Sequence, residues 1–236
     1  MNLENKIVLI SGANGGLGKT LVEKMLTQNV KKIYCTVRSI SKARNIQNLS
    51  SKVQLVKVDI TNKEDLKNLT LNIDNIDLLI NNAGVNSQKR ILEASTLDFD
   101  VNVIGTLNLT KSLIIKLNKG AKIVNITSVL ALCNFPVMGL YSASKSALHS
   151  LTQALRAEMK SKDISVLEVL PGPIDTNMTK ESDIPKSSTV EVVEEIFDAI
   201  KLNKKEVYPD EFSKSLKENL EKNKDIIELE FEESLA

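Results

Sequence analysis

The chain has 236 residues, 42% of them hydrophobic and 26% charged, with Lys+Arg 31 against Asp+Glu 30 for a formal net charge of +1. This composition excludes disordered, collagenous and disulfide-scaffold chains, and the balanced charge argues against a nucleic-acid partner, which would call for a basic excess. The opening Met1-Asn2-Leu3-Glu4-Asn5-Lys6 lacks the basic-then-apolar layout of a signal peptide, and no apolar run approaches the roughly 18 residues of a membrane span, so a cytoplasmic protein without membrane association is expected.

Short β-branched runs alternate along the chain with longer helical patterns. Strands are expected at Lys6 to Ile10, Lys32 to Val37, Val53 to Val58, Asp77 to Ile80, Ala121 to Ile126 and Ile164 to Leu170. Helical periodicity occupies roughly 17–29, 63–72, 95–118 and 141–161. Runs such as Ile7-Val8-Leu9-Ile10 are apolar on both faces, as central strands of a parallel sheet require. Repetition of strand and helix therefore predicts an α/β fold: three layers, a doubly wound Rossmann-type parallel sheet of about seven strands with helices on both faces. No linker or repeat interrupts residues 1–210, so residues 1–236 are expected to form one dinucleotide-binding and catalytic domain, with about 211–236 as a C-terminal helix or tail.

Cys35 and Cys133 read as buried small hydrophobes rather than a bridge. The single His149 excludes metal chemistry needing several histidines, and no metal is expected.

After the first strand comes Ser11-Gly12-Ala13-Asn14-Gly15-Gly16-Leu17-Gly18, opening directly into a helix. Glycines let backbone amides approach a pyrophosphate, and the helix N-terminus adds oriented N–H groups and partial positive charge, so a dinucleotide is the natural ligand. The second strand ends in Thr36-Val37-Arg38, where an NAD site would usually place a carboxylate for the ribose hydroxyls. A guanidinium instead suits a 2′-phosphate and favours NADP(H) over NAD(H).

Tyr141 and Lys145 stand at i and i+4, neighbours on one helix face. A phenol is a weak base at neutral pH, and the adjacent ammonium is expected to lower its pKa toward the range useful for proton transfer. Ser128 ends the fifth strand, at the carboxyl edge where open parallel sheets bind ligands. Asn81-Asn82-Ala83-Gly84 and Pro171-Gly172-Pro173-Ile174-Asp175-Thr176 reach the same edge.

The placement of Gly12, Gly16 and Gly18 resembles the T-G-x-x-x-G-x-G turn of the short-chain dehydrogenase/reductase family, with Ser11 where Thr is usual. Asp59-Ile60, Asn82 to Gly84, Asn102-Val103-Ile104-Gly105, Ser128, Tyr141 with Lys145, and Pro171-Gly172 through Thr176 follow in that family's order. Glu206 to Asp210 resembles its short final strand. The resemblance implies an NADP-dependent oxidoreductase moving a hydride between nicotinamide and a carbonyl or secondary alcohol.

By that resemblance Tyr141 is the acid or base, Ser128 holds the reacting oxygen, and Lys145 binds the nicotinamide ribose. Asn102 would hold a water leading from Lys145 to solvent; the plainer reading is a polar residue satisfying a helix kink. Cofactor contacts are expected from Ser11, Gly12, Asn14, Gly16, Leu17, Gly18, Arg38, Asp59, Ile60, Asn82, Ala83, Gly84, Tyr141, Lys145, Pro171, Gly172, Ile174 and Thr176. Thr127 and Ala131 depart from the family's frequent Ser and Gly, which leaves the chemistry intact and alters the pocket wall.

Leu130, Leu132, Phe135, Met138 and Met178 are expected to face a small apolar substrate. The resemblance implies a homodimer or homotetramer, formed in the family through the two helices that correspond to 95–118 and 141–161, whose apolar stripes could supply such a surface. The alternative is a catalytically silent NADP-binding regulatory or scaffold protein, which typically would have lost Ser128, Tyr141 or Lys145. A sugar-nucleotide epimerase or dehydratase would need a longer chain.

Overall fold

The computed structural model describes residues 1–235. Strand β1 (Ile7–Ser11) leads into helix α1 (Gly16–Leu26), and β2 (Lys32–Val37) is followed by the short α2 (Arg44–Gln47). Next come β3 (Val53–Lys57), α3 (Lys63–Asn72) and β4 (Ile76–Asn81). Helices α4 (Leu97–Phe99) and α5 (Thr106–Leu113) flank a π-helical turn, Asp100–Gly105. The chain closes with β5 (Leu117–Ile126), α6 (Gly139–Met159), β6 (Ser165–Val169), α7 (Thr189–Lys201), β7 (Glu206–Val207) and α8 (Glu211–Glu233).

All seven strands run parallel in the order β3-β2-β1-β4-β5-β6-β7. Alternate residues of each strand feed two cores, as a sheet covered on both faces requires. Val8, Ile10, Leu78, Ile80, Val124 and Leu167 pack with α1 and α7 side chains such as Leu21, Met25, Ile196 and Phe197. Leu9, Leu79, Ile123 and Val166 pack with Leu69 of α3, Leu109 and Leu113 of α5 and Met159 of α6. This is the expected Rossmann-type architecture. A third cluster, including Val129, Cys133, Leu216 and Ile227, seats α8 against the segment that follows β5.

The structure departs from the reading of the sequence in the short α2, which was not expected, in the segment from 95 to the start of β5, and in α7. The period between 95 and 118 is not one helix: a π turn interrupts it, a 3₁₀ turn at Ile114–Lys116 ends it, and Leu117 already pairs with Ile76 in the sheet. Leu113 to Leu117 keep a helical apolar pattern, but strand pairing at Leu117 and the register shift that follows override it. Helix α7 is absent from the periodic segments named above, although Ser188 and Glu191 form a reciprocal capping box at its start. No described helix is long and apolar enough to cross a membrane.

Candidate active site

The turn between β1 and α1 is fixed by close contacts. Gly12 has φ +63°, and a Cβ there would lie 2.8 Å from Ala83 Cα. The buried Ser11 hydroxyl accepts the N–H groups of Asn82 and Ala83, both at 3.0 Å. Asn82 Nδ2 donates to the carbonyls of Ser11 at 3.0 Å and Gly12 at 3.1 Å. Ser11 and Asn82 thus clasp the ends of β1 and β4 together. A Cβ on Gly16 would sit 2.8 Å from Thr176 Cγ2, so the loop after β6 closes directly on the first turn of α1.

Helix α1 starts from Gly15 with no side-chain cap and no acidic residue in its first turn. Among the described residues no side chain caps its leading amides, and Asn14, Gly16, Leu17 and Gly18 line a cavity of about 730 Å³. That donor set fits a pyrophosphate. Arg38 lies exposed on the cavity wall beyond the end of β2. Asp59 also lines it; Thr61 donates its hydroxyl (2.7 Å) and N–H (2.9 Å) to Asp59 Oδ1 and, helped by the charge of Arg38, holds that carboxyl below the usual range. Ile60 lines the wall and packs on Gly105, where a Cβ would come within 2.8 Å of Ile60 Cγ1.

The same cavity reaches Ser128, Tyr141 and Lys145, together with Asn82, Ala83, Gly84, Pro171, Gly172, Ile174 and Thr176. The structure therefore brings the expected residues to one cavity, except that Ser11 and Asn102 stand behind its wall. Asn102 is buried in the π turn, whose wider winding is a common device at functional sites. Its Oδ1 accepts Val85 N–H at 2.8 Å, and its Nδ2 donates to Val85 O at 2.9 Å and Ser144 Oγ at 3.0 Å. Both amide protons are spent on protein, so the side chain ties the π turn to the loop after β4 and to α6 rather than to the backbone of its own helix.

The expected depression of the Tyr141 pKa is not what the geometry produces. Lys145 Nζ lies 5.6 Å from the Tyr141 ring centroid and donates to the Ile126 carbonyl at 3.0 Å. Part of the Tyr141 ring is open to the cavity, yet the dense protein around the phenol pushes it up to about 12, with the Ser128 hydroxyl acting in the opposite direction and Asp98 adding to the rise. Burial likewise brings Lys145 down to about 8, against the opposing charges of Asp98 and Glu168. Desolvation outweighs any Tyr–Lys attraction because both polar groups are crowded by protein and the two are not in hydrogen-bond contact.

Asp98 was not legible as a site residue. Fully buried in α4, it accepts Ser87 N–H at 3.0 Å and the Ser87 hydroxyl, so it anchors the loop after β4 while biasing both titratable groups. Asp210 is a second such residue: it caps α8 through Ser213 N–H at 2.8 Å and accepts Gly172 N–H at 2.8 Å. The apolar wall also differs from expectation. Met178 lines the cavity, but Leu132 packs toward α8 and Phe135 stacks edge-on against Phe231 at 5.1 Å, while Leu97, Val101 and Ile104 supply apolar lining instead.

Residues 6–186 match the short chain dehydrogenase family. An uncharacterised oxidoreductase of Staphylococcus saprophyticus is 31% identical over 198 residues, covering 78% of this chain and 84% of the relative. The crystal structure of a short chain dehydrogenase from Burkholderia cenocepacia in complex with NADP superposes with a TM-score of 0.92 at 32% identity, covering 98% of this chain and 99% of that one. A Burkholderia phymatum short chain dehydrogenase/reductase in complex with NAD shares the fold, with a TM-score of 0.82 at 21% identity over 94% of this chain and 96% of that one. Taken over most of its length, from the turn at Gly12 to the helix bearing Tyr141 and Lys145, the chain belongs to the short-chain dehydrogenase/reductase family of oxidoreductases.

Proposed function

We propose that this protein is an NADP(H)-dependent reductase or dehydrogenase acting on the carbonyl or secondary alcohol of a small, apolar substrate, with Tyr141 as the acid or base. One observation carries this reading: a single cavity has the uncapped start of α1 and Arg38 in one part of its wall and Ser128, Tyr141 and Lys145 in another. When bound, the reduced nicotinamide supplies the hydride. The chain's own residues bind, orient and move the proton.

The phenol of Tyr141, pushed up to about 12, is fully protonated at neutral pH and so is loaded as a proton donor for reduction. Ser128 donates to the same substrate oxygen and stabilises the charge that develops there. Lys145 holds the nicotinamide ribose, and Asp59, Ile60 and the Asn82 to Gly84 segment hold the adenosine side, with Pro171, Gly172, Ile174 and Thr176 toward the carboxamide. The cationic side chains lining the cavity are Arg38 and Lys145, both committed to nucleotide, which leaves none for a strongly anionic substrate. Arg38, with no carboxylate at the end of β2, supports NADP(H) over NAD(H). We further infer, from the family, a homodimer or homotetramer through α5 and α6, beside which Ile115 is exposed.

The test is NADPH consumption, followed by nicotinamide absorbance, against a panel of ketones, aldehydes and quinones. Turnover is expected with at least one apolar carbonyl and is expected to vanish in Tyr141→Phe. Undiminished turnover in that variant would overturn the assigned mechanism.

A further inference from the structure

Below the catalytic level, the side of the sheet facing α5 and α6 carries a polar stripe. Asn81, Asn125, Glu168 and Glu206 are directly paired neighbours on β4, β5, β6 and β7. Most of it is satisfied by neighbours: Asn81 Nδ2 donates to Asn125 Oδ1 at 2.8 Å and to Thr110 Oγ1 at 3.0 Å, and Asn125 Nδ2 donates to Thr152 Oγ1 at 2.8 Å. Two oxygens of the stripe have no hydrogen-bond partner among the described residues, Asn81 Oδ1 and Glu168 Oε2, and of these residues Glu168 is the ionisable one. It is fully buried, its Oε1 is 2.9 Å from His149 Nδ1, and its Oε2 has no hydrogen-bond partner among the described residues.

A buried carboxylate whose second oxygen has no hydrogen bond, only the Arg156 guanidinium 3.9 Å away, is a poor device for stability, since an apolar side chain of that size would cost less. Its neighbours on β6, Val166, Leu167 and Val169, are apolar. What Glu168 has instead is a position. Lys145 and His149 are one turn apart on α6, so the carboxylate that His149 holds lies along the same helix face as the ammonium. His149 Nε2 pairs at 2.9 Å with the exposed Gln153 one turn further, which links the pair to solvent.

We propose that Glu168, held by His149, is a positioning residue for Lys145: its carboxylate supplies the negative charge that keeps this buried ammonium charged as the solution turns alkaline. The inference rests on the proposed role of Lys145 at the nicotinamide ribose. The other charged or titratable groups near Glu168 are Arg156 on α6, whose guanidinium is 3.9 Å from Oε2, and Glu206 and Tyr208 on and after β7. Lys145 itself also feels Asp98 from α4. Burial raises the Glu168 carboxyl, and His149, with Thr127, opposes that rise.

Two measurements test this without a known substrate. His149 is the only histidine, so its ring nitrogens give one set of NMR signals. In the wild type the proton of the neutral ring is expected on Nδ1, facing Glu168, and in Glu168→Gln the two tautomers are expected to mix; a neutral wild-type ring protonated on Nε2 overturns the proposal. The second is NADPH affinity against pH, read by nucleotide fluorescence. Wild-type affinity is expected to fall as Lys145 loses its charge near pH 8, with the fall in Glu168→Gln beginning about one unit lower and Glu168→Asp restoring most of the difference.

An unmoved profile in Glu168→Gln, or an equal loss at every pH, overturns the proposal; the second result would make Glu168 merely structural. Failure of the parent reading looks different. NADPH affinity would then be insensitive to pH and to Lys145→Met in every variant, whatever the tautomer signal shows.

Discussion

Gly18 and Gly12 are in contact across the nucleotide turn: a Cβ on Gly18 would lie 2.3 Å from the Gly12 carbonyl oxygen and 2.9 Å from Ala13 Cα. Both obstacles are backbone and cannot swing aside. Gly18→Ala is therefore expected to destabilise the fold by about 1–3 kcal/mol, lowering Tm by roughly 2–12 °C, and to weaken NADPH binding at least about tenfold through displacement of the turn. Thermal melts and a fluorescence titration measure the two effects separately.

Arg38 tests cofactor choice. Removing the guanidinium deletes charge-assisted bonds to a 2′-phosphate that NADH lacks, so Arg38→Ala is expected to weaken NADPH by about ten- to a hundredfold and NADH by much less. Parallel titrations with both nucleotides give the ratio; equal losses would remove the argument for NADP(H).

Ser128→Ala leaves the Tyr141 phenol without the hydroxyl that now opposes its rise. It also takes one donor from the developing oxyanion. Turnover of any substrate found by the panel is expected to fall about a hundredfold or more, with Tm little changed. Steady-state kinetics beside a melting curve separate a chemical loss from an unfolded protein.

Lys145 gives a pH signature in stability. Its folded-state pKa is lowered to about 8 from 10.5, so the unfolded chain holds the proton more tightly. The cost of burying the ammonium is full below pH 8 and is relieved as pH rises toward 10.5. Lys145→Met, close in volume and uncharged, is thus expected to melt higher than the wild type at pH 7, by on the order of 2–3 kcal/mol in stability. That advantage shrinks between pH 8 and 10.5. Melting curves of both proteins across this range provide the check, and an advantage that does not change with pH would mean that packing, not charge, separates them.

Asp210 couples the far helix to the cavity wall. Asp210→Ala removes the cap on Ser213 N–H and the acceptor of Gly172 N–H together. A loss of about 1–2 kcal/mol, or roughly 2–8 °C, is expected in melting experiments, together with weaker nucleotide binding because Gly172 is on the wall.

The fold was legible because it is written in local patterns. Two-sided apolar strands such as Leu78-Leu79-Ile80 and the helix at Lys63–Asn72 need only their own periodicity to be recognised. Gly12, Ser128, Tyr141 and Lys145 were likewise visible, since each lies at the end of a strand or on one helix face in an interpretable order. What could not be read depends on contacts that no local period encodes. Asp98 and Asp210 look like ordinary surface acids until Ser87 and Gly172 are brought to them by the fold. The break at Asp100–Gly105 leaves no mark in the apolar period, and the sidedness of Phe135 is decided by Phe231, which lies nearly a hundred positions later. The ionisation of Tyr141 could not be inferred either, because burial, invisible in a four-residue spacing, outweighs the neighbouring ammonium.

The place of β1 between β2 and β4 has a bearing on how the chain is made. Val8 pairs with Ile33 on one side but with Leu78 on the other, so the first strand emerges from the ribosome with one edge that can be covered early and one that must wait about seventy residues. Until β4 arrives, the nascent chain exposes an apolar strand edge able to pair with any other, and Ser11, which later clasps Asn82, has nothing to hold. Between residues 37 and 81, therefore, the growing chain carries an open apolar edge that only β4 can close.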